Sequence, residues 1–343
     1  MIPGCATTEA TAAFAEGFAG ADFYRRSQSL TVSTLGIGTY LGPMTDAVDD
    51  AYAESVLRAL RGGVNLIDTS LNYRHQRSER AIRRGLAAWF ERDGGSREAA
   101  LICTKAGYLV PDAVPAKLNA SAVVGGMHCL DPVFLEDQLE RSRANLGLET
   151  IDVFYLHNPE TQLAHVSEEE FYSRIGAAFE TLERLAGEGR IRYYGAATWD
   201  GFRRGSKRLS LTRMADLATQ VGGSGHKFRF IQLPLNLAMT EALSKPLEAD
   251  RTVLDLAGEF GVTVICSASL LQARLSRGLP DEIAAAMPGV SGDALRAIQF
   301  TRSAPGVTAA LVGMSNPEHV TGNLDIRQIP PLSSDEFRRA FFA

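Results

Sequence analysis

The sequence contains no long uninterrupted hydrophobic run. A membrane-spanning helix needs about 18 or more consecutive apolar residues, and no such segment occurs in the 343 residues. The N-terminal segment carries Pro3, Glu9 and Glu16, and it lacks the basic region and the apolar core of a signal peptide. We therefore expect neither a membrane span nor a secretory leader, and we expect a cytoplasmic protein.

Cysteine and histidine are sparse and show no ligand spacing. The cysteines lie far apart without a CxxC motif, which predicts reduced thiols, and they are Cys5, Cys103, Cys129 and Cys266. The 6 histidines include no HxxxH pair, so no metal site is expected.

The chain also lacks an excess of charge of one sign. It has 35 Lys and Arg against 40 Asp and Glu, a net charge of -5, and no basic stripe. A nucleic-acid partner is therefore not expected. The apolar fraction of 45% is enough for a large core. Nothing in the sequence indicates an oligomeric state.

Short β-branched runs alternate with longer amphipathic segments, as is typical of βα units around a parallel sheet. The predicted strands are residues 35–39, 64–68, 101–105, 151–156, 191–197, 230–235, 262–267 and 307–312. The predicted helices are residues 51–61, 79–92, 132–146, 168–188, 211–221, 247–260 and 291–303.

The number of repeats decides between two architectures. The length alone fits two average domains or one large α/β barrel. Eight βα repeats favour a closed sheet, so we predict a single (β/α)8 TIM barrel of the α/β class at residues 28–343, after an N-terminal extension at residues 1–27. Long segments at residues 107–131 and 272–290 follow the third and seventh strands, where barrel enzymes carry substrate loops.

Three ionisable side chains close consecutive predicted strands. They are Asp68, Lys105 and His157, and Tyr73 follows Asp68 by five residues. Because parallel strands of a barrel end at one rim, these four side chains are expected to converge. Each residue alone could be structural, as an ion pair or as a packed ring. Three ionisable groups at consecutive strand ends favour a functional site.

Together these groups could supply a proton to a substrate. A free tyrosine titrates near pH ~10, and a nearby ammonium lowers that pKa, so Lys105 is expected to lower the pKa of Tyr73. Asp68 would keep Lys105 charged. His157 could donate a hydrogen bond that orients a substrate oxygen.

Several segments resemble the aldo-keto reductase family over residues 35–323. The matching motifs are LGIGTYLG at 35–42, GVNLIDTSLNYR at 63–74, TK at 104–105, FYLHNP at 154–159, GRIRYYGAATW at 189–199 and GMSNPEHVTGN at 313–323. The family's Asp, Tyr, Lys and His tetrad falls on Asp68, Tyr73, Lys105 and His157. The resemblance implies a (β/α)8 barrel in which NADPH delivers hydride to the carbonyl carbon of an aldehyde or ketone, while Tyr73 protonates the oxygen.

The loops after the seventh and eighth strands are the expected phosphate-binding segments of such a barrel. Candidate donors after the seventh strand are Ser267, Ser269, Gln272 and Arg274. After the eighth, Ser315 or Asn316 could cap a helix that begins at Pro317. Ordinary capping and turn formation explain these serines equally well. The resemblance adds cofactor contacts at Gly38, at Thr39 and, for the adenine, at Asn323.

Three sites depart from the family pattern. Thr198 replaces part of the Ser-Asn pair that holds the carboxamide, so Thr198 with Gln232 is expected to hold it. Cys266 stands where an aromatic side chain often stacks on the nicotinamide. Gly313 and His319 stand where basic residues often bind the 2'-phosphate. NADP(H) is the predicted cofactor, and NAD(H) stays open.

A second function fits the same residues. The departures at Ala197, Cys266 and His319 are compatible with a nicotinamide-binding sensor or regulatory subunit that turns over slowly on the same barrel. The intact tetrad favours a carbonyl reductase acting on a small molecule. The mouth of the active site of such a reductase is expected to be formed by residues 107–131, Trp199 and the loop after Leu271.

Overall fold

Eight parallel strands close into a barrel in the computed structural model, which describes residues 1–18, 20, 22–203 and 208–342. An antiparallel hairpin of β1 (Tyr24–Ser27) and β2 (Leu30–Ser33) precedes the barrel. The barrel strands follow each other in chain order, and β10 pairs with β3 to close the ring. They are β3 (Leu35–Gly38), β4 (Leu66–Asp68), β5 (Leu101–Ala106), β6 (Ile151–His157), β7 (Ile191–Ala197), β8 (Phe228–Pro234), β9 (Thr263–Ser267) and β10 (Ala309–Gly313).

Helices surround the strands on the outside. They are α1 (Thr8–Glu16), α2 (Asp46–Arg61), α3 (Arg77–Asp93), α4 (Pro132–Leu146), α5 (Glu168–Gly187), α6 (Leu211–Gly222), α7 (Glu241–Ser244), α8 (Val253–Glu259), α9 (Asp281–Ala286), α10 (Asp293–Ser303), α11 (Pro317–Asn323) and α12 (Ser334–Phe341). The architecture is the predicted (β/α)8 barrel. None of the helices in the described ranges is both long and apolar enough to cross a membrane.

Each of the eight predicted strands is present, whereas one predicted helix is too long. Residues 247–260 were expected to be one helix, but α8 begins only at Val253. Its N-terminus is set by a capping box in which Thr252 and Asp255 exchange hydrogen bonds. Before it, Glu248 and Arg251 form a tight antiparallel bridge. The turn therefore interrupts the apolar periodicity that suggested a longer helix.

Side chains of the barrel strands alternate between two apolar layers. Inward-facing residues such as Leu66, Val153 and Ile265 form one cluster inside the ring. Their neighbours along the strands, such as Ile67 and Phe154, belong to the larger cluster between strands and helices. This alternation follows from the two-residue period of a β-strand, and it decides which side chain at each strand end faces the barrel axis.

The N-terminal end of the barrel is covered by the hairpin and by the first residues of the chain. Leu30 and Val32 of β2 pack into the inner cluster, together with Ala6. The backbone N–H of Ala6 donates to Oδ1 of buried Asp152 at 2.6 Å, and Arg97 donates to Oδ2 of the same carboxylate at 2.7 Å. The opposite, C-terminal end of the barrel is the one that carries the cavity.

Candidate active site

Strand alternation brings the predicted polar residues to the C-terminal rim. Asp68 lies two residues after inward-facing Leu66, so its side chain also faces the barrel axis. Lys105 lies two residues after inward-facing Cys103, and His157 lies two residues after inward-facing Tyr155, so both of these side chains face the barrel axis as well. The sequence places these groups on neighbouring strands, and the pleat turns all three toward one another.

Asp68 and Lys105 form a buried ion pair at the centre of the rim. Lys105 Nζ donates to Asp68 Oδ1 at 2.5 Å and to the backbone oxygen of Thr69 at 2.7 Å. Gln232 of β8 donates through Nε2 to the other carboxylate oxygen at 2.8 Å. The side chains of Lys105 and Asp68 are 0% and 5% exposed. Both charges are therefore satisfied inside the protein.

Tyr73 lies in the turn that follows β4, directly against this pair. The centroid of its ring is 5.0 Å from Lys105 Nζ and 5.8 Å from the imidazole centroid of His157. Tyr40, in the loop after β3, also packs against the phenol ring, with 5.0 Å between the ring centroids. The four side chains that the sequence predicts to converge therefore meet at one point of the rim.

The pKa of Tyr73 differs in direction from the sequence-based prediction. Burial raises it, and the charge and hydrogen bonding of Lys105 act in the opposite direction without reversing the shift. The prediction of a lowered pKa is wrong because desolvation of the phenolate outweighs the ammonium. A raised pKa keeps the hydroxyl protonated at neutral pH, which is the state that a proton donor needs.

The pKa values of both members of the ion pair, Asp68 and Lys105, are also shifted. Burial raises the pKa of Asp68, while its interactions with Lys105 and Gln232 oppose the shift. Burial alone would lower the pKa of Lys105, but the charges of Asp68 and Tyr73 outweigh it and the pKa is raised. Lys105 therefore stays charged throughout the neutral range.

His157 is held as a neutral imidazole. Burial, followed by the nearby charge of Lys105, takes its pKa well below the usual range. Its Nδ1 lies 3.1 Å from Ser70 Oγ, and its backbone oxygen lies 2.8 Å from Nε2 of His128. The ring lines the cavity, so its polar edge is available to a ligand.

A cavity of about 1020 Å³ opens at this rim. Asp68, Tyr73 and His157 form part of its wall, whereas Lys105 lies fully buried behind them. Most of the residues predicted to contact a cofactor also line it: Gly38, Thr39, Thr198, Gln232, Ser267, Ser269, Gln272, Gly313, Ser315, His319 and Asn323. The long cleft therefore connects the tetrad with the loops after β9 and β10.

Two of the predicted cofactor residues are not on this wall. Cys266 follows inward-facing Ile265 and so points outward, into the buried layer between strands and helices. It cannot stack on a ring inside the cavity. Arg274 is exposed and does not line the cavity. The family resemblance had indicated Cys266, and its place in the loop after the seventh predicted strand had indicated Arg274, but strand pleat and loop direction take both away from the site.

Two buried hydroxyls on the cavity wall are without a partner in the described part of the chain. They are Thr198 Oγ1 and Ser269 Oγ. An unpaired buried hydroxyl carries a desolvation cost, which a polar ligand would relieve. Gln232 uses its Nε2 for Asp68 and keeps its amide oxygen as an acceptor. These groups fit a ligand with amide and phosphate functions. Metal-binding clusters of His, Cys, Asp or Glu do not occur among the described residues.

Sequence reasoning did not single out several residues around the tetrad. Tyr40, Asn72, Tyr108 and Asn158 line the cavity, and Ser70 contacts His157. The Tyr108 ring packs edge-on against His157 at 5.1 Å. Tyr40, Ser70 and Asn72 belong to motifs that had been recognised, so inspecting every polar or aromatic residue of those motifs would have found them. Asn158 belongs to the recognised motif at residues 154–159 as well, whereas no motif or periodicity marks Tyr108.

The sequence model of the Aldo/keto reductase family matches residues 34–286. A D-threo-aldose 1-dehydrogenase of Pseudomonas sp is 25% identical over an alignment of 327 residues, and the match covers 86% of this chain and 89% of that protein. An NADH-specific methylglyoxal reductase of Escherichia coli (strain K12) is 28% identical over 176 residues. That match spans only 50% of each chain.

Solved structures of similar fold are also aldo-keto reductases or a dehydrogenase. A glycerol dehydrogenase of Gluconobacter oxydans has a TM-score of 0.67 at 20% identity, covering 93% of this chain and 94% of that one. An aldo/keto reductase of Klebsiella pneumoniae, in complex with NADP and acetate, has a TM-score of 0.65 at 19% identity, covering 94% and 95%. With the family match over most of its length, this chain belongs to the aldo/keto reductase family and is an NAD(P)H-dependent oxidoreductase.

Proposed function

We propose that the protein reduces a small aldehyde or ketone with hydride from NADPH and that Tyr73 is the general acid. The observation that carries this proposal is the position of Tyr73, whose ring lies 5.0 Å from Lys105 Nζ, on the wall of a cavity large enough for cofactor and substrate. The related proteins are named as reductases and dehydrogenases, which agrees with this reaction class.

The buried ion pair would control the proton. Tyr73 enters the reaction protonated, because its pKa is raised by burial. As negative charge develops on the carbonyl oxygen, the hydroxyl transfers its proton, and the Lys105 ammonium stabilises the resulting phenolate. Asp68 and the backbone oxygen of Thr69 hold two of the ammonium protons, so the charge is fixed before the reaction begins.

His157 would orient the substrate carbonyl. Its ring is 5.8 Å from the ring of Tyr73, at 77°, so both side chains can reach one oxygen in the cavity. Because its pKa is well below the usual range, the imidazole contributes a neutral N–H donor and does not compete with Tyr73 as an acid. Positioning of this kind fixes the carbonyl for attack from one face.

NADP(H) is the proposed cofactor, with NAD(H) as the second candidate. When bound, the nicotinamide supplies or accepts the hydride. Thr198 and Ser269 would satisfy their unpaired hydroxyls on its polar groups, and Gln232 would receive an amide N–H through its free oxygen. The described wall of the cavity contains no Lys or Arg, and Glu318 and His319 lie near Asn323 in α11. We therefore expect modest discrimination between the two nucleotides.

The walls nearest the tetrad indicate an uncharged substrate. Tyr40, Tyr108 and Trp199 line the cavity together with Leu41, and Tyr40 and Trp199 are 56% and 40% exposed. Aromatic faces bind apolar rings and the C–H faces of neutral polar molecules. The favoured substrates are therefore neutral carbonyl compounds with a flat or ring-shaped body.

Replacing the tyrosine tests the proposal directly. The Tyr73→Phe variant is expected to lose reduction of an aromatic aldehyde by about 10²- to 10⁴-fold, the usual contribution of a general acid. The affinities for NADPH and NADH, measured by the quenching of protein fluorescence, should be unchanged. Tyr194→Phe is the matched control, because Tyr194 lies in the outer buried layer away from the cavity.

The same measurements distinguish the enzyme from a nicotinamide-binding sensor. A sensor would bind the nucleotide in both proteins and would show no turnover on a broad panel of aldehydes and ketones. Turnover that survives in Tyr73→Phe would contradict the assigned role of Tyr73. Failure to bind either nucleotide would contradict both functions.

A further inference from the structure

Ser70 is placed to control the proton on His157. Its Oγ lies 3.1 Å from His157 Nδ1, 3.1 Å from the backbone oxygen of Lys105 and 2.6 Å from the side-chain oxygen of Asn72. Ser70 is fully buried, so water does not compete for the hydroxyl. A serine hydroxyl has only one proton to donate and can accept two hydrogen bonds. The three neighbours therefore compete for one proton.

The direction of the Ser70–His157 hydrogen bond decides whether Nε2 of His157 is a donor or an acceptor. A neutral imidazole carries one N–H. If Ser70 donates to Nδ1, the proton of His157 is on Nε2, where it can bind a carbonyl oxygen. If Ser70 instead accepts from Nδ1–H, Nε2 presents a lone pair, which repels that oxygen. Only the first arrangement helps to bind a carbonyl substrate.

Two local features favour donation to the ring. The backbone oxygen of Lys105 already accepts from the N–H of Leu71 at 3.3 Å, so it does not depend on Ser70. Asn72 can turn its amide by half a rotation, which replaces the oxygen facing Ser70 with an N–H donor. Ser70 then accepts from Asn72 and keeps its own proton for His157.

The backbone around His157 leaves little room for another arrangement. His128 Nε2 lies 2.8 Å from the backbone oxygen of His157, and Gln162 Nε2 lies 2.9 Å from His128 Nδ1. A β-carbon on Gly107 would lie 2.5 Å from that backbone oxygen and 2.8 Å from His128 Nε2. The chain is thus packed tightly behind the ring, which fixes the backbone position of His157.

We infer that Ser70 and Asn72 are positioning residues that keep the proton of His157 on Nε2, through the chain Asn72 N–H to Ser70 Oγ and Ser70 O–H to His157 Nδ1. This inference rests on the proposed role of His157 in binding the carbonyl oxygen. It assigns a function to two side chains of the turn after β4 that neither contact the charged groups of the ion pair nor transfer a proton to substrate.

Three variants separate the positioning role from a structural one. Ser70→Ala removes the hydroxyl and is expected to lower kcat about 10-fold, the loss of one hydrogen bond of ordinary strength, with unchanged nucleotide affinity. Ser70→Thr keeps the hydroxyl and should restore most of kcat. Asn72→Asp offers only acceptors, so it draws the Ser70 proton away and should lower kcat by more than the about 10-fold expected of Ser70→Ala, because the lone pair on Nε2 then repels the carbonyl oxygen.

The tautomer is read directly from nitrogen NMR of the protein labelled with ¹⁵N-histidine, without cofactor or substrate. His157→Gln assigns the signals. The wild type should show a protonated Nε2 and a bare Nδ1, Ser70→Ala should lose this bias, and Asn72→Asp should invert it. Ser55→Ala is the control, because Ser55 Oγ is buried in α2 and has no partner in the described residues.

Each outcome has a distinct meaning. A proton on Nδ1 of wild-type His157, or a Ser70→Ala variant that matches Ser55→Ala in both kcat and tautomer, would overturn the inference. If Thr does not fit at the buried position of Ser70, the half-buried Asn72 still provides the test. Because the tautomer is measured in the resting protein, failure of the inference is distinguishable from failure of Tyr73 as the acid.

Discussion

At the scale of single residues, the site depends on two charges that are removed from water. Transferring an ammonium and a carboxylate into a protein interior is costly, and their mutual attraction offsets that cost only when the remaining hydrogen-bonding groups are also satisfied. Lys105 is satisfied by Asp68 and Thr69, and Asp68 receives a further hydrogen bond from Gln232. Each partner is therefore needed to keep the other in place.

Removing one partner of this ion pair should destabilise the protein more than removing both partners. Asp68→Asn leaves the Lys105 ammonium uncompensated and is expected to cost about 3–5 kcal/mol in the free energy of unfolding. The double variant Asp68→Asn with Lys105→Met should regain part of that stability and remain inactive. Urea denaturation and a turnover assay measure the two properties.

An exposed ion pair is the matched control for this set of variants. Arg84 and Asp50 also pair at 2.6 Å, but their side chains are 55% and 64% exposed, so Asp50→Asn should cost less than about 1 kcal/mol. The single variants for comparison are Asp68→Asn and Lys105→Met. A double variant that is less stable than both would contradict this expectation, since it would mean that the ion pair stabilises the fold by itself.

At the scale of secondary-structure elements, the sequence predicts strands well and loop geometry poorly. Apolar runs that end on Asp68, Lys105 and His157 identify three strands and their common rim, because strand pleat and parallel order are general properties. Cys266 was expected at the cofactor because it occupies the position of the family's stacking aromatic residue, but the pleat turns it outward. Whether Tyr73 titrates high or low depends on burial, which no local pattern encodes.

The walls of the cavity illustrate the same limit. Segment 107–131 was expected at the mouth, and Tyr108 from its beginning does line the cavity. The start of α10, including Asp293, lines it as well, although the sequence gives that helix no special role. Such contacts arise from the way loops fold back over the rim, and this depends on many weak interactions between distant residues.

A single substitution in α11 should change the nucleotide preference. Glu318 lines the cavity and pairs with Arg58 at 2.7 Å. Its negative charge opposes a further phosphate, so Glu318→Arg should tighten NADPH binding relative to NADH by about fivefold, the effect of about 1 kcal/mol from an exposed charge. Fluorescence titration with each nucleotide measures the two Kd values.

Glu54→Gln is the control for that change. Glu54 contacts the same Arg58 at 2.8 Å but does not line the cavity, so its replacement should leave the NADPH to NADH ratio unaltered. An equal shift in both variants would mean that the freed Arg58, and not the charge at position 318, is responsible. No shift in Glu318→Arg would place the adenosine phosphate elsewhere.

At the scale of the whole molecule, the two ends of the barrel have different tasks. The C-terminal end carries the cavity, and the N-terminal end is closed by the β1–β2 hairpin and by Ala6. We propose that residues 1–27 serve mainly as this closure. Phe14 of α1 supports the same role, because it packs edge-on against Trp89 of α3 at 5.9 Å.

Removing residues 1–6 should therefore affect stability and leave the chemistry intact. The deletion takes away the hydrogen bond from Ala6 to Asp152 and the bridge between Ile2 and Leu148. It is expected to cost about 1–3 kcal/mol, because a buried carboxylate oxygen loses its donor. Thermal unfolding should show a lower Tm, while kcat well below that temperature stays near the wild-type value. A large loss of kcat in the folded variant would contradict this separation of tasks.

The separation between strand ends and loops also has an evolutionary consequence. The side chains proposed to act with Tyr73, namely Asp68, Lys105 and His157, belong to neighbouring strands whose register is fixed by the hydrogen bonds of the ring. Much of the rest of the cavity wall belongs to loops outside that ladder. Gene duplicates can therefore exchange, lengthen or mutate those loops and acquire new substrates, while inheriting the positions of these three strand-end side chains unchanged.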